Sequence, residues 1–179
     1  MMRATLIILS FLIISCSSPE STEQNEESYI DLNAWVKGQI QSLQGSRLLK
    51  TSYWNDLGPN DTLCGPDWAR ELRSFDNIPL TPSSWRTDYT AVVEQRDSLK
   101  SIQLTPKGHL NELRSARIEI VGDAVYQIEL EYQYENMLKR NRRNLRFTSG
   151  LGYEISGVQK TRFFPEENYR IIGKFEAAK

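Results

Sequence analysis

The chain has 179 residues, of which 39% are hydrophobic, 25% charged and 10% aromatic, which suits one ordinary globular domain with an extra segment at an end. Abundant aromatics and balanced charge exclude a coiled coil, a collagen-like repeat and a wholly disordered chain, and two cysteines are too few for a disulfide scaffold. A formal net charge of −1 gives no electrostatic basis for binding nucleic acid, which rests on a basic excess.

Arg3 precedes an apolar run over residues 4–14, ATLIILSFLII. Eleven residues are too few to span a hydrocarbon core of about 30 Å as a helix, and suit the apolar region of a signal peptide. The run ends in Ile13-Ile14-Ser15-Cys16. This resembles the bacterial lipoprotein signal, in which an aliphatic residue stands three positions before a cysteine and a small residue just before it. The resemblance implies a signal peptide over residues 1–15, cleaved by signal peptidase II after Ser15, and acylation of Cys16 as the new amino terminus. Each buried methylene of such an anchor contributes about 0.8 kcal/mol, so several acyl chains hold where one would not. Cys64 is then the remaining thiol. Residues 17–28, SSPESTEQNEES, carry four glutamates, no base and no apolar side chain, so 16–28 reads as a disordered tether. Ser17 differs from the aspartate that retains lipoproteins at the inner membrane under the enterobacterial sorting rule. By that resemblance the outer membrane is the expected location, with its periplasmic and surface faces both open.

Residues 29–179 read as a single α+β domain. Over 29–47, Ile30, Trp35, Ile40 and Leu43 fall near helical spacing, and Gly45 offers a stop. Asn60 and Asp61 can cap a second helix running to about Phe75, with Trp68, Leu72 and Phe75 on one face. Pro79 and Pro82 then close this half. From Thr87 the period shortens to two. In Val125–Glu135, Tyr126, Ile128, Leu130, Tyr132 and Tyr134 alternate with glutamines and glutamates, the pattern of a half-buried antiparallel strand. Its partner is 116–121. A two-residue turn at Gly122-Asp123 would oppose Ile118 to Gln127. A three-residue loop, Gly122-Asp123-Ala124, pairs Ile120 with Tyr126, Ile118 with Ile128 and Arg117 with Glu129, and is preferred because a one-residue slip inverts every side chain. Further strands are expected at about 88–95, 99–105, 144–149, 153–163 and 168–175, with turns at Asp97-Ser98, Ser149–Gly152 and Pro165–Asn168. The sum is an antiparallel meander of about seven strands covered by two N-terminal helices, without the spacing of a Rossmann-type or barrel α/β enzyme.

The stretch Trp68-Ala69-Arg70-Glu71-Leu72-Arg73-Ser74-Phe75, with Tyr153-Glu154-Ile155-Ser156-Gly157-Val158-Gln159-Lys160 much later, resembles uncharacterised lipoproteins of Bacteroidota. In those, an E-L-x-x-F helix precedes a strand meander. The resemblance covers residues 30–175 and implies the compartment and the order of elements, with no activity attached.

Candidate chemistry is sparse. His109 is the single histidine, in a loop, without the partners of a triad or a zinc site. Cys64 has no CxxC partner and reads as a structural thiol. Glu129, Glu131 and Glu135 read as the polar face of a strand. Asp67 and Glu71 lie one helical turn apart beside Trp68, with Arg70 and Arg73 as surface partners. The basic cluster Lys139, Arg140, Arg142 and Arg143, with Arg146, is placed on a loop between strands. There it is the first candidate for gripping anionic head groups or an acidic envelope protein. Trp35, Trp68, Tyr126, Tyr132, Tyr134 and Phe147 are candidates to line an apolar cavity between sheet and helices. No pattern calls for a cofactor or a metal. The expected function is a lipid-anchored, non-enzymatic binding or assembly component of the cell envelope. A carrier of a lipid or other apolar ligand is the second reading and a periplasmic hydrolase the third.

Overall fold

A computed structural model describes residues 29–177 apart from positions 56 and 110. The signal segment, Cys16 and the tether lie outside the described residues, as does the side chain of Cys64. The chain is α+β, and its frame is one antiparallel sheet. After helix α1 (Leu32–Ser42) come β1 (Arg47–Trp54) and β2 (Leu57–Cys64). A short helix α2 (Trp68–Glu71) continues as a 3-10 turn over Leu72–Phe75, and α3 (Pro82–Asp88) follows. Then β3 (Tyr89–Arg96), β4 (Leu99–Pro106), β5 (Leu113–Val121), β6 (Ala124–Glu135), β7 (Lys139–Thr148), β8 (Gly152–Thr161) and β9 (Glu167–Glu176) form an unbroken meander. Spatially the order is β2-β1-β9-β8-β7-β6-β5-β4-β3, so the meander ends by laying β9 against β1. The seven strands expected from the periodicity are present, and the first hairpin makes nine.

That hairpin overturns the helix expected from Asn60 and Asp61. In β2, Asn60 and Asp61 pair with Ser52 and Thr51. Gly58 and Pro59 read as breakers, yet β2 is an edge strand, where a proline forfeits no ladder bond that the sheet requires. The cap of α2 is Asp67, whose carboxylate accepts from the Arg70 amide at 3.2 Å. Trp68, Leu72 and Phe75 do face the core, all three buried. Pro82 likewise opens a helix: it stands at the start of α3 behind a reciprocal cap in which the Ser84 amide donates to Thr81 Oγ1 at 3.1 Å and the Thr81 amide to Ser84 Oγ at 2.8 Å. Helix α1 is shorter than 29–47. It begins behind Asp31, which accepts from the Ala34 amide at 2.9 Å, and ends before Gly45, whose φ of 82° suits glycine.

The β5–β6 pairing reconciles both turns considered above. Ile118 lies opposite Ile128 and Arg117 opposite Glu129, as the pattern requires. The turn nonetheless has two residues, Gly122 and Asp123, since Val121 pairs with Ala124 and Ile120 with Val125. The register shifts between Glu119 and Ile120, which leaves Tyr126 as an extra residue and restores the parity beyond it.

All three helices cover one face of the sheet. From α1 and its C-cap, Leu32, Val36 and Leu43 point inward; from the sheet come Leu48, Ile102, Leu104, Ile118, Ile128, Leu130, Leu145, Phe147 and Tyr153. At the centre Phe147 meets Trp35 edge-on at 5.2 Å and Phe75 at 5.4 Å between ring centroids. Trp68 meets Phe175 in the same way at 5.3 Å. Glycines make room for this: the Tyr153 ring lies over Gly173 and the Tyr169 ring over Gly157, where a β-carbon would collide with the ring. Glu71 of α2 ties the helix layer down, bonding to Lys50 Nζ at 2.7 Å and to the Tyr153 hydroxyl. Replacing Phe147 by alanine is expected to cost about 3–5 kcal/mol. Phe163→Ala, at an exposed turn, should stay within about 0.5 kcal/mol; urea unfolding of the two variants checks the contrast.

Candidate functional site

The sheet face away from the helices is uncovered, and strand alternation decides what it carries. One cross-strand row holds Gln103, Arg117, Glu129, Arg146 and Glu154. The next holds Ser115, Glu131, Asn144, Ser156 and Arg170. Between them lies an open groove of about 420 Å³. Its three glutamates are each held by an arginine: Glu129 by Arg146 Nε at 2.7 Å, Glu131 by Arg142 Nη2 at 2.7 Å, and Glu154 by Arg170 Nε at 2.8 Å. Arg117 stands opposite Glu129 but donates to Gln103 Oε1 at 3.2 Å. Pairs this exposed contribute about 0.2–1 kcal/mol each, so the ladder does little for stability. What it does is hold a two-dimensional pattern of charge and hydrogen-bonding groups in fixed register.

The basic cluster is not a loop. Lys139–Thr148 is strand β7, inside the sheet between β6 and β8, so its side chains divide between two faces. Arg140, Arg142 and Arg146 point to the polar face and meet Glu135, Glu131 and Glu129. The hydrogen bond and positive charge of Arg140 hold the Glu135 carboxyl below the usual carboxylate range. Arg143 points to the helix side and lies over the Tyr132 ring, 5.1 Å from its centroid. Lys139, half-buried, begins the strand on that same side. The five residues therefore form no single basic spot.

The six aromatic candidates are not brought together either. Trp35, Trp68 and Phe147 interlock in the core and leave their space filled. Tyr126 is the exposed bulge residue, and Tyr134 is exposed beyond the helices with its hydroxyl accepting from Asn136 Nδ2 at 2.7 Å. Tyr132 packs at the margin of the core under Arg143. His109 is exposed in the loop after β4, where its carbonyl accepts from Arg114 Nη1 at 2.8 Å. Asp67 is spent on the α2 cap and Glu71 on Lys50 and Tyr153, so these two carboxylates do not work as a pair.

One exposed feature had no counterpart among the sequence candidates. The turns after β6 and after β8 lie side by side, joined where the Arg162 amide donates to the Leu138 carbonyl at 2.9 Å. They carry Met137, Leu138, Phe163 and Phe164, all exposed. The signal was present as ML and FF in turn positions between polar strands, where soluble turns carry glycine, asparagine or aspartate. Among the described residues no helix is long and apolar enough to cross a membrane, and no three His, Cys, Asp or Glu residues are grouped to hold a metal ion.

Burial pushes the Tyr132 phenol up to about 12, and nearby Arg143 partly opposes the shift. Between its ordinary value of 10 and about 12 the folded chain keeps a proton that the unfolded chain has released. Stability must therefore fall as pH rises through that window, by up to about 3 kcal/mol for this group. Urea unfolding at a series of pH values should show the decline, and Tyr132→Phe should lessen it, the rest coming from Tyr29, Tyr89 and Tyr169, whose phenols burial also pushes up. Compared with known proteins, the chain matches no protein-family model, no curated protein and no solved structure at a significant level.

Proposed function

We propose that the chain is a lipid-anchored, non-enzymatic binding or assembly component of the bacterial cell envelope. It is held at the outer membrane through Cys16 and presents the uncovered face of its sheet to an envelope partner. The observation that carries this reading is the ladder of arginines and glutamates around the open groove. Such a surface is costly to cover with an apolar molecule and well suited to a polar, hydrogen-bonding partner. Within it Arg117 offers a planar donor fork toward an acidic group. The filled aromatic core weighs against an apolar carrier, since the side chains that would line a cavity pack on one another. A hydrolase would need groups converging on a reacting atom, whereas the groove's glutamates each bond to an arginine.

Four measurements test the reading. Cys16→Ser should move the protein from the detergent phase to the aqueous phase on Triton X-114 partitioning, and mass spectrometry of the wild type should find acyl chains on residue 16. A photo-crosslinking residue at Arg117 should give a discrete adduct in intact cells, while the same residue at the exposed Lys37 of α1 should give none. Equal labelling at the two positions counts against the sheet face. Stoichiometric lipid extracted from the purified protein would favour the carrier instead.

A further inference from the structure

We infer that the paired turns after β6 and β8 are a second membrane contact, which inserts into the bilayer that holds the anchor. The inference rests on the lipid-anchor reading for which membrane is met, while the contact itself stands on the geometry of the turns. Met137 is 88% exposed, Leu138 57%, Phe163 78% and Phe164 66%, and the hydrogen bond from the Arg162 amide to the Leu138 carbonyl keeps them in one patch. Strands β6 and β7 carry this patch outward, running on from the last β5 pairing at Tyr132 to Glu135 opposite Arg140. The β1–β2 turn opens at the same end of the sheet and adds Trp54 and Leu57, which are 47% and 70% exposed. Single exposed apolar residues are ordinary, but several large ones together on projecting turns are the signature of an interaction site. Trp54, stacked on Tyr169 at 5.7 Å, has the amphipathic character favoured at a membrane interface.

Charge at this end is mixed. Lys139, Arg140, Lys160 and Arg162 are set against Glu135, Glu166 and Glu167. Arg140 is bonded to Glu135, and Arg162 lies 5.6 Å from the centroid of the Phe163 ring. The apolar side chains therefore drive insertion, and the cations act on headgroup phosphates at close range. Binding should depend only weakly on salt.

A bilayer is favoured over another occupant by where the described chain begins. Tyr29 donates its hydroxyl to the Leu80 carbonyl at 2.8 Å and packs against Trp85 of α3. That helix leads into Tyr89, which pairs with Pro106 at the same end of the sheet as the turns. The β6–β7 turn is three to four strands from β3, or about 15–20 Å sideways. Residues 17–28 span up to about 40 Å when extended. An acyl anchor on Cys16 and the apolar turns can therefore reach one surface together. The opposite end of the sheet, with the turn at 149–151, points away from it.

The test uses the lipidated chain, with Cys64→Ala, reconstituted into vesicles of phosphatidylcholine and phosphatidylglycerol. Bimane on Phe163→Cys should emit at shorter wavelength than in buffer and be quenched by acyl-nitroxide lipids. Bimane on Leu151→Cys, at the far end, should show neither change, and matching behaviour at the two sites overturns the inference. In a second arm the chain from residue 16 onward, carrying Cys16→Ser, is floated with the same vesicles. It should bind at least about tenfold more tightly than its Met137→Ser/Leu138→Ser/Phe163→Ser/Phe164→Ser variant. Equal flotation of the two, with unchanged circular dichroism, overturns the inference whether or not Cys16 is acylated. Absence of acyl chains from the wild type would defeat the anchor reading and leave this second arm to decide the turns.

Discussion

Everything in this molecule depends on the contact at Phe147. Its strand lies at the middle of the sheet, and its ring is where the helix layer and the sheet meet, with Trp35 arriving from α1 and Phe75 from the turn that extends α2. Packing of this kind fixes more than stability. With Phe147 and Leu145 committed inward, the parity of β7 is set, and every even-numbered arginine along it must emerge on the opposite face. The glutamates of β6 and β8 are committed to that face in turn by Ile128, Leu130, Tyr153 and Ile155. The charged ladder is thus the reverse side of the hydrophobic core, and one cannot be shifted without the other.

Where the helices stop, the rule changes. Beyond Leu145 toward the start of β7, the inward positions become Arg143, Asn141 and Lys139, because the sheet outruns its cover. Polar residues suffice there, and Arg143 finds the ring of Tyr132 in place of an aliphatic neighbour. The strands end in turns whose side chains are apolar although none of the described residues shields them. A single sheet accordingly presents three surfaces: an aromatic core under helices, a salt-linked polar plane, and an apolar end.

Much of this was legible in the amino-acid pattern. Period-two alternation located all seven meander strands, and the opposition of Ile118 to Ile128 and Arg117 to Glu129 followed from keeping like with like. The turn at Asp97-Ser98 was equally plain, with Asp97 at a φ of 52°. Each failure has a physical cause. Parity cannot say where an extra residue is absorbed, so the bulge at Tyr126 was read as a longer loop. Edge strands escape the composition rules of interior ones, so β2, with Gly58, Pro59, Asn60 and Asp61, looked like a helix cap. In β1 the inward Lys50 breaks the alternation because its partner, Glu71, comes from a helix 21 residues away. Lys139–Arg143 looked like a loop because a strand that outruns its cover loses its hydrophobic half. Of the candidate site, Glu129, Glu131, Arg142 and Arg146 stand out individually in the sequence and Glu154 and Arg170 do not, and the partnership is hidden because the pattern puts Arg142 and Arg146 on a different element from Glu129 and Glu131.

The seating of β9 between β1 and β8 has a temporal consequence. Until residues 167–176 exist, the opening hairpin has no neighbour in the sheet to join. The pairing that sets Trp54 opposite Tyr169 joins strands far apart in the sequence, a long closure of the kind that slows folding. A polypeptide built in this order keeps its first hairpin waiting, unseated, until β9 arrives.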